Sequence, residues 1–264
     1  MNETLVERSG GLVTVTFNRP HKKNALNAVN WADLAEVLRE VAANPRDRAL
    51  LLTGADGNFS AGADLSGSAA ATTGLTGRES QAIVHEMRAV GEIARQLHRL
   101  PKPTLAVVDG VAVGVALGLA LACDLIIASD RARFSEVFVR RGLAMDGGNS
   151  WTLPRAVGLR RAKQMAFFGD IISAADALAW GLINAVVPAD ELPKTGREWG
   201  LRLAAAPTTA ISLIKRQLDD SASLTFEQAV EVEAQMQHIA YTTADVREGI
   251  AAFLQRRDPR FTGQ

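Results

Sequence analysis

A single carboxylate, Asp146, lies between apolar residues and two glycines in the segment R-R-G-L-A-M-D-G-G-N-S-W, residues 140–151. Aspartate before glycine is typical of a turn, because its side chain bonds to nearby backbone and glycine tolerates unusual backbone angles. A turn of this kind also suits a carboxylate that is aimed into a pocket to accept or donate a proton. The segment alone therefore fits both a structural turn and a catalytic acid.

Two segments rich in glycine and alanine could supply backbone N–H donors. They are F-S-A-G-A-D-L at 59–65 and G-V-A-V-G-V-A at 110–116, the second at the start of an expected helix. The first turn of a helix leaves its N–H groups unpaired. Two such donors aimed at one point form an oxyanion hole, which stabilises negative charge on a carbonyl oxygen. Taken singly, each segment favours a structural turn.

Other common catalytic and cofactor patterns are missing from the sequence. Gly110, Gly114 and Gly118 are four residues apart, which is typical of close helix packing and differs from a dinucleotide-binding loop. The four histidines show no paired ligand spacing, so we expect no metal ion and no bound cofactor. No nucleophile elbow accompanies a Ser-His-Asp set, and Cys123 follows an apolar run that predicts an inert buried thiol.

Charge and cysteine content narrow the class of partner and the compartment. Lys+Arg and Asp+Glu are both 29, so no nucleic-acid partner and no membrane surface are expected. The longest uncharged run, residues 110–123, is too short to span a bilayer. One cysteine and an N-terminus without a signal-peptide pattern predict a cytoplasmic protein.

The elements that must position these residues follow from hydrophobic periodicity. Strands alternate with helices up to residue 187, which predicts a parallel α/β core, and only helices follow. We expect domains at 1–206 (core) and 207–264 (helical), with a mobile glycine-rich loop at 66–77 that shapes the pocket. The predicted strands are 12–17, 49–54, 104–109 and 124–128; the predicted helices run from Trp31 to Val41, from Ile83 to Leu97, through the glycine-alanine segment, and over 190–205, 207–220, 225–239 and 243–254.

Motifs along nearly the whole chain carry a family resemblance. They are N-R-P-x-x-x-N-A-L-N (18–27), F-S-A-G-A-D-L (59–65), P-K-P-T-L-A-V-V-D-G-V-A-V-G (101–114), L-A-C-D (121–124), A-R-F (132–134), L-P-R-A-V-G (153–158) and A-L-A-W-G-L-I-N-A-V-V-P (177–188). Together they resemble the crotonase (enoyl-CoA hydratase/isomerase) superfamily. The resemblance implies a spiral of ββα units with a C-terminal helical trimerisation region, and a homotrimer or dimer of trimers. It also implies an acyl-CoA thioester substrate, with coenzyme A as part of that substrate.

The resemblance assigns roles to residues by position. Two backbone N–H groups that hold the thioester oxygen map to Ala63 and Val115. Arg19, Lys22 and Lys23 could meet CoA phosphates or could be solvated charges. The residues that the resemblance places at coenzyme A are Lys22, Lys23, Ala25, Leu26, Ala61, Asp64 and Leu65.

The chain departs from the family pattern at both catalytic glutamates. Gly118 and Phe138 stand at those positions, and Glu136, two residues away, is expected to turn elsewhere. Hydration needs two acid–base groups, so their loss argues against it. Asp146 remains as the catalytic candidate, in a context similar to that of family isomerases, including those that open ring epoxides in phenylacetate degradation. The expected acyl pocket is formed by Phe138, Leu143, Met145 and Gly118.

These observations predict an isomerase that moves a double bond or opens a ring epoxide by shuttling a proton through Asp146. An enoyl-CoA hydratase that uses Glu136 or another acid stays open as an alternative, as does a non-catalytic acyl-CoA binding protein. A dehalogenase is a more distant possibility, because no histidine is evidently placed for its hydrolytic step.

Overall fold

The computed structural model describes residues 2–66 and 77–264. The predicted loop at 66–77 falls almost wholly outside these ranges. The strands are β1 (Thr4–Ser9), β2 (Leu12–Phe17), β3 (Ala49–Gly54), β4 (Thr104–Val108), β5 (Val111–Val113), β6 (Leu125–Ser129), β7 (Arg133–Ser135), β8 (Ile172–Ser173) and β9 (Ala185–Val187). The helices are α1 (Ala28–Ala43), α2 (Gly77–His98), α3 (Val115–Ala122), α4 (Asn149–Val157), α5 (Leu159–Phe168), α6 (Ala174–Ala179), α7 (Leu192–Ala205), α8 (Thr208–Ser221), α9 (Phe226–Tyr241) and α10 (Ala244–Gln255).

Six strands form the main sheet in the order β1-β2-β3-β4-β6-β9. Among the strands of this sheet within the described ranges, β1 and β2 pair antiparallel and the other pairs are parallel, so the predicted parallel α/β core is confirmed. Strand β4 is buried along its whole length, as expected for a strand covered on both faces. The segment T-L-A-V-V is therefore continuously buried and shows no alternation of apolar and polar residues.

A second, three-stranded sheet was not predicted. Its order is β5-β7-β8, with β5 and β7 parallel. These strands have two or three residues each, too few to show a period of two. Since β4, β5 and α3 follow one another directly, the chain forms a ββα unit, in which the short strand fixes where the helix begins.

Two hydrophobic clusters cover the two faces of the main sheet. One joins the sheet to α1, α2, α3 and α4, and the other joins it to α7. Helices α8, α9 and α10 contribute to neither cluster and expose large apolar side chains, among them Phe226 and Phe253. The division into 1–206 and 207–264 stays a prediction. Within the described ranges, the helices are all too short or too polar to cross a membrane.

Candidate active site

The segment after β3 runs beside β5 and sets the register of the two expected oxyanion donors. Ser60 N–H donates to Val111 O (2.8 Å), and Val113 N–H donates to Ser60 O (3.2 Å). This parallel bridge pairs Ser60 with Ala112, so the segments that lead to Ala63 and Val115 run alongside each other.

Two glycines allow this close approach. A Cβ on Gly62 would lie 2.7 Å from Val113 O, so a side chain there would push the segments apart. Gly114 has φ 58° and ψ −127°, a conformation open mainly to glycine, and it turns the chain into α3. Val115 is the first residue of that helix. Within the part of the chain that the structure describes, neither Ala63 N–H nor Val115 N–H has an acceptor.

Asp146 sits in a turn that is docked on the start of α3. Gly147 and Gly148 both have positive φ, and Asn149 N–H closes the turn on Asp146 O at 3.1 Å. The buried Asn149 side chain donates from Nδ2 to Gly114 O at 3.2 Å. A Cβ on Gly147 would lie 2.9 Å from Val115 Cγ2. The turn therefore holds Asp146 next to Val115, whose N–H is the second expected oxyanion donor.

Gly118 leaves no room for the glutamate that the resemblance places at this position. A Cβ there would lie 2.9 Å from both Asn149 Nδ2 and Gly147 O. The space that a glutamate side chain would need is occupied by the turn of Asp146. A glutamate side chain at position 118 and this turn therefore cannot occupy the same space.

The side chain of Asp146 is half-buried. Its Oδ1 is buried and has no hydrogen-bond partner among the described residues. Burial raises the pKa of Asp146 from 3.8 to about 6. Phe138 is buried and Met145 packs against the core, whereas Leu143 is 51% exposed. Within the chain itself, the predicted acyl-pocket residue Leu143 is therefore largely exposed and forms no buried wall.

Glu136 corrects a sequence expectation. The two-residue offset from position 138 was expected to turn it elsewhere, but its side chain is fully buried. Burial and the nearby charge of Asp146 raise the pKa of Glu136 to about 8. A two-residue offset reverses a side chain only in regular structure, whereas Glu136 lies between the end of β7 at Ser135 and the start of a 3₁₀ helix (Val137–Arg141).

Two site residues could not be assigned from the sequence: Glu136, for the reason above, and Asn149. Asn149 immediately follows the double glycine of the turn. This position was the one signal that the sequence offered for it. Its contact with Gly114 depends on how α4 packs against α3, which the sequence does not show.

The residues expected at coenzyme A lie together beside the first oxyanion donor. Leu26 N–H donates to Gly62 O and Asp64 N–H donates to Leu26 O, both at 2.8 Å. Ala25 and Leu26 are buried, so they can meet a ligand mainly through backbone atoms. Leu65 is 51% exposed. Ala61 N–H donates to the carbonyl oxygen of Lys23.

The basic side chains of this region differ in their availability. Arg19 is buried and donates to Asp64 and to the Ala25 carbonyl. Its role is therefore structural, and its charge is not solvated. Lys22 Nζ contacts Asp64 (2.9 Å) and Ser66 Oγ (2.7 Å). Hydrogen bonds from Ser66, Lys22 and Arg19 hold the pKa of Asp64 well below its usual range. Lys23 is exposed and has no ion pair among the described residues.

Metal-binding side chains do not gather here: no group of three or more His, Cys, Asp or Glu suited to a metal ion occurs within residues 2–66 and 77–264.

Comparison with known proteins places this geometry in a family. The sequence profile of "Enoyl-CoA hydratase/isomerase" matches residues 7–264. The chain belongs to the enoyl-CoA hydratase/isomerase family. It is 38% identical to the 1,2-epoxyphenylacetyl-CoA isomerase of Escherichia coli (strain K12) over 96% of each chain. It is 31% identical to the short-chain-enoyl-CoA hydratase of Clostridium acetobutylicum over 97% of this chain and 96% of that protein.

The solved structures agree with the crotonase fold of this family member. The enoyl-CoA hydratase/isomerase of Cupriavidus metallidurans CH34 matches with a TM-score of 0.90 and 31% identity, covering 100% of this chain and 97% of that one. The expected spiral of ββα units is thereby confirmed. Isomerases and hydratases both occur among the relatives, so the reaction must be argued from the site.

Proposed function

We propose that this family member is an acyl-CoA isomerase that moves a double bond, or opens a ring epoxide, by proton transfer through Asp146. The observation that carries the proposal is the docking of the Asp146 turn on the start of α3. It puts a half-buried carboxylate beside Val115, while Gly118 and Phe138 occupy the positions that the family resemblance gives to two glutamates.

In this mechanism the N–H groups of Ala63 and Val115 donate to the thioester oxygen. Asp146 removes a proton from one carbon of the acyl chain, and the electron pair moves into the thioester to form an enolate. The same carboxyl group returns the proton to a different carbon, so the double bond shifts and no atom is lost. Each oxyanion donor contributes about 3–4 kcal/mol to barrier lowering in comparable sites.

The ionisation of Asp146 suits this role. Burial brings its pKa to about 6, so the group is a carboxylate at neutral pH yet binds a proton more strongly than an exposed aspartate. A base whose pKa lies near the working pH transfers protons most efficiently in both directions. With an epoxide substrate, the same group assists ring opening.

A hydratase is the second candidate, and the burial of Glu136 near Asp146 is the observation that favours it. Two carboxyl groups are the number that water addition requires. However, the Glu136 side chain has no exposed surface that a water molecule could reach within the chain as described.

The deciding experiment compares wild type, Asp146→Asn and Asp170→Asn on CoA thioesters with a 3-enoyl, a 2-enoyl or a ring-epoxide acyl group. We expect wild type to isomerise the 3-enoyl or the epoxide substrate. Asp146→Asn should reduce turnover at least about a hundredfold and retain thioester binding. Asp170 is exposed and paired with Arg140, so it provides a matched acid control.

Other outcomes separate the alternatives. Water addition to the 2-enoyl thioester without isomerisation would support the hydratase. Tight binding without turnover of any substrate would support an acyl-CoA binding protein. Near-wild-type isomerisation by Asp146→Asn would exclude the assigned base.

The remaining expectations belong to the same proposal. Coenzyme A enters as part of the substrate, and this mechanism uses no separate cofactor. The exposed apolar side chains of α9 and α10 support a homotrimer or dimer of trimers, which light scattering at low micromolar concentration tests. Turnover of the ring-epoxide thioester would support a place in phenylacetate degradation.

A further inference from the structure

By the register of the small sheet, Glu136 lies beside Gly114, the residue before the expected oxyanion donor Val115. Val113 of β5 pairs with Ser135 of β7, so the next residues, Gly114 and Glu136, are neighbours. Gly114 N–H donates to Ser135 O at 2.9 Å, which holds this register where β5 ends. Glu136 thus borders the bend at Gly114 and Val115, which we call the oxyanion corner. This bend carries the Val115 N–H, and the Asp146 turn is docked on it.

The carboxyl group of Glu136 has none of the contacts that stabilise a negative charge. Its side chain is fully buried, and neither oxygen has a hydrogen-bond partner among the described residues. Asp146 Oδ1 and Asn149 Oδ1, nearby, also have no partner there. An isolated buried carboxylate is strongly disfavoured, so a group in this position keeps its proton.

The charged groups on the surrounding elements do not compensate. Helix α5, which contacts the 3₁₀ helix, carries exposed charges only: Arg160, Arg161 and Lys163. Helix α3 carries no charged residue. In the 3₁₀ helix, Arg140 is bound to Asp170 and to the Phe168 carbonyl, and Arg141 is exposed. Arg133, at the start of β7, donates to the Ala132 carbonyl. Asp146 is the charged group that acts on Glu136, and its negative charge opposes a second ionisation.

We propose that Glu136 is a positioning residue of this site. It stays protonated while Asp146 is the base, so it adds no negative charge beside Asp146 or the enolate. In that state the site carries one negative charge before reaction. Ionisation of Glu136 would add a second charge beside the enolate oxygen and suppress enolate formation. This inference rests on the proposed function and assigns the alkaline limit of activity to Glu136.

The pH dependence of turnover follows from the two carboxyl groups titrating as a pair. Activity rises through the pKa of about 6 of Asp146 and falls through the pKa of about 8 of Glu136. One pH unit above the second value, about a tenth of the molecules remain active.

The test measures kcat/KM from pH 5 to 10 for wild type, Glu136→Gln and Asp170→Asn. Glutamine keeps the size and neutrality of the protonated acid but cannot ionise. We expect Glu136→Gln to keep the acid limb and to lose the alkaline limb, so that its rate at pH 9 stays within about twofold of its own rate at pH 7.5. Asp170→Asn should retain the wild-type fall of about tenfold at pH 9.

Infrared difference spectroscopy tests the protonation state without turnover. Wild type minus Glu136→Gln at pH 7 should show the C=O stretch of a protonated carboxylic acid, and this band should disappear at pH 10. If the band is missing, or if Glu136→Gln keeps the alkaline limb, the inference is overturned even when Asp146→Asn abolishes isomerisation. If no thioester turns over, the proposed function fails and the band alone decides whether Glu136 stays protonated.

Discussion

Gly118 lies so close to Asn149 that a Cβ on the glycine would stand 2.9 Å from the amide nitrogen of the asparagine. The same Cβ would lie 2.9 Å from the carbonyl oxygen of Gly147, which is backbone and cannot rotate away. The absence of a side chain at 118 is therefore what lets the Asp146 turn reach the oxyanion corner.

Gly118→Ala should displace that turn. We expect kcat/KM to fall at least about tenfold and the free energy of unfolding to fall by about 1–3 kcal/mol, because the backbone must move to relieve the overlap. Gly91→Ala is the matched control: this glycine is also helical, and its Cβ would meet no atom within 4 Å. That control should be neutral or slightly stabilising in urea unfolding. Equal behaviour of the two variants would contradict the packing argument.

Asn149→Ala removes the hydrogen bond from Nδ2 to Gly114 O. The expected loss is about 1–2 kcal/mol of unfolding free energy, since a buried carbonyl loses its side-chain donor. Because the turn and the oxyanion corner then separate, kcat should fall more than KM changes. Thr152→Ala, which removes an exposed hydroxyl contact to Gly148 O, is the control and should leave both kinetic constants within twofold, about the usual effect of a surface change. A pure KM effect in Asn149→Ala would point to binding and away from positioning.

Gly114→Ala tests backbone geometry without a steric clash. The nearest atoms to its Cβ would be 3.6 Å away, but φ 58° is strained for alanine. We expect a rotation that redirects the Val115 N–H and lowers kcat at least about tenfold. Gly158→Ala carries similar strain at φ 78° in open space between α4 and α5. Steady-state kinetics should show the loss only in Gly114→Ala; a comparable loss in both would mean general destabilisation.

The half-buried acid Asp146 should reduce stability at neutral pH. In the folded protein it keeps its proton up to about pH 6, against 3.8 for an ordinary aspartate. Unfolding therefore releases a proton between these values, and the free energy of unfolding falls as the pH rises through this window. Asp146→Asn should be more stable than wild type at pH 7, by about 1–2 kcal/mol given its partial exposure, and the difference should vanish near pH 3.5. Denaturant unfolding at both pH values measures this, and a destabilised variant at pH 7 would be contrary to expectation.

Much of the architecture could be predicted from local patterns. The apolar run of β4, the amphipathic spacing of α1 and the four C-terminal helices each depend on neighbours in sequence, so their periodicity was readable. The antiparallel β1 and the short strands β5, β7 and β8 were missed, because two or three residues carry no period and β1 is mostly exposed.

By itself, the sequence determined the types of residue that could do chemistry: an aspartate before a double glycine, two glycine-alanine corners, and no acid at 118 or 138. Only the tertiary structure decided how they meet. The Ser60–Ala112 bridge aligns the segments that lead to Ala63 and Val115. The Asn149 amide docks the Asp146 turn on Gly114, and the register of β7 places Glu136 next to Gly114. These contacts join residues from separate ββα units, and their energies depend on packing and desolvation, which no local pattern encodes.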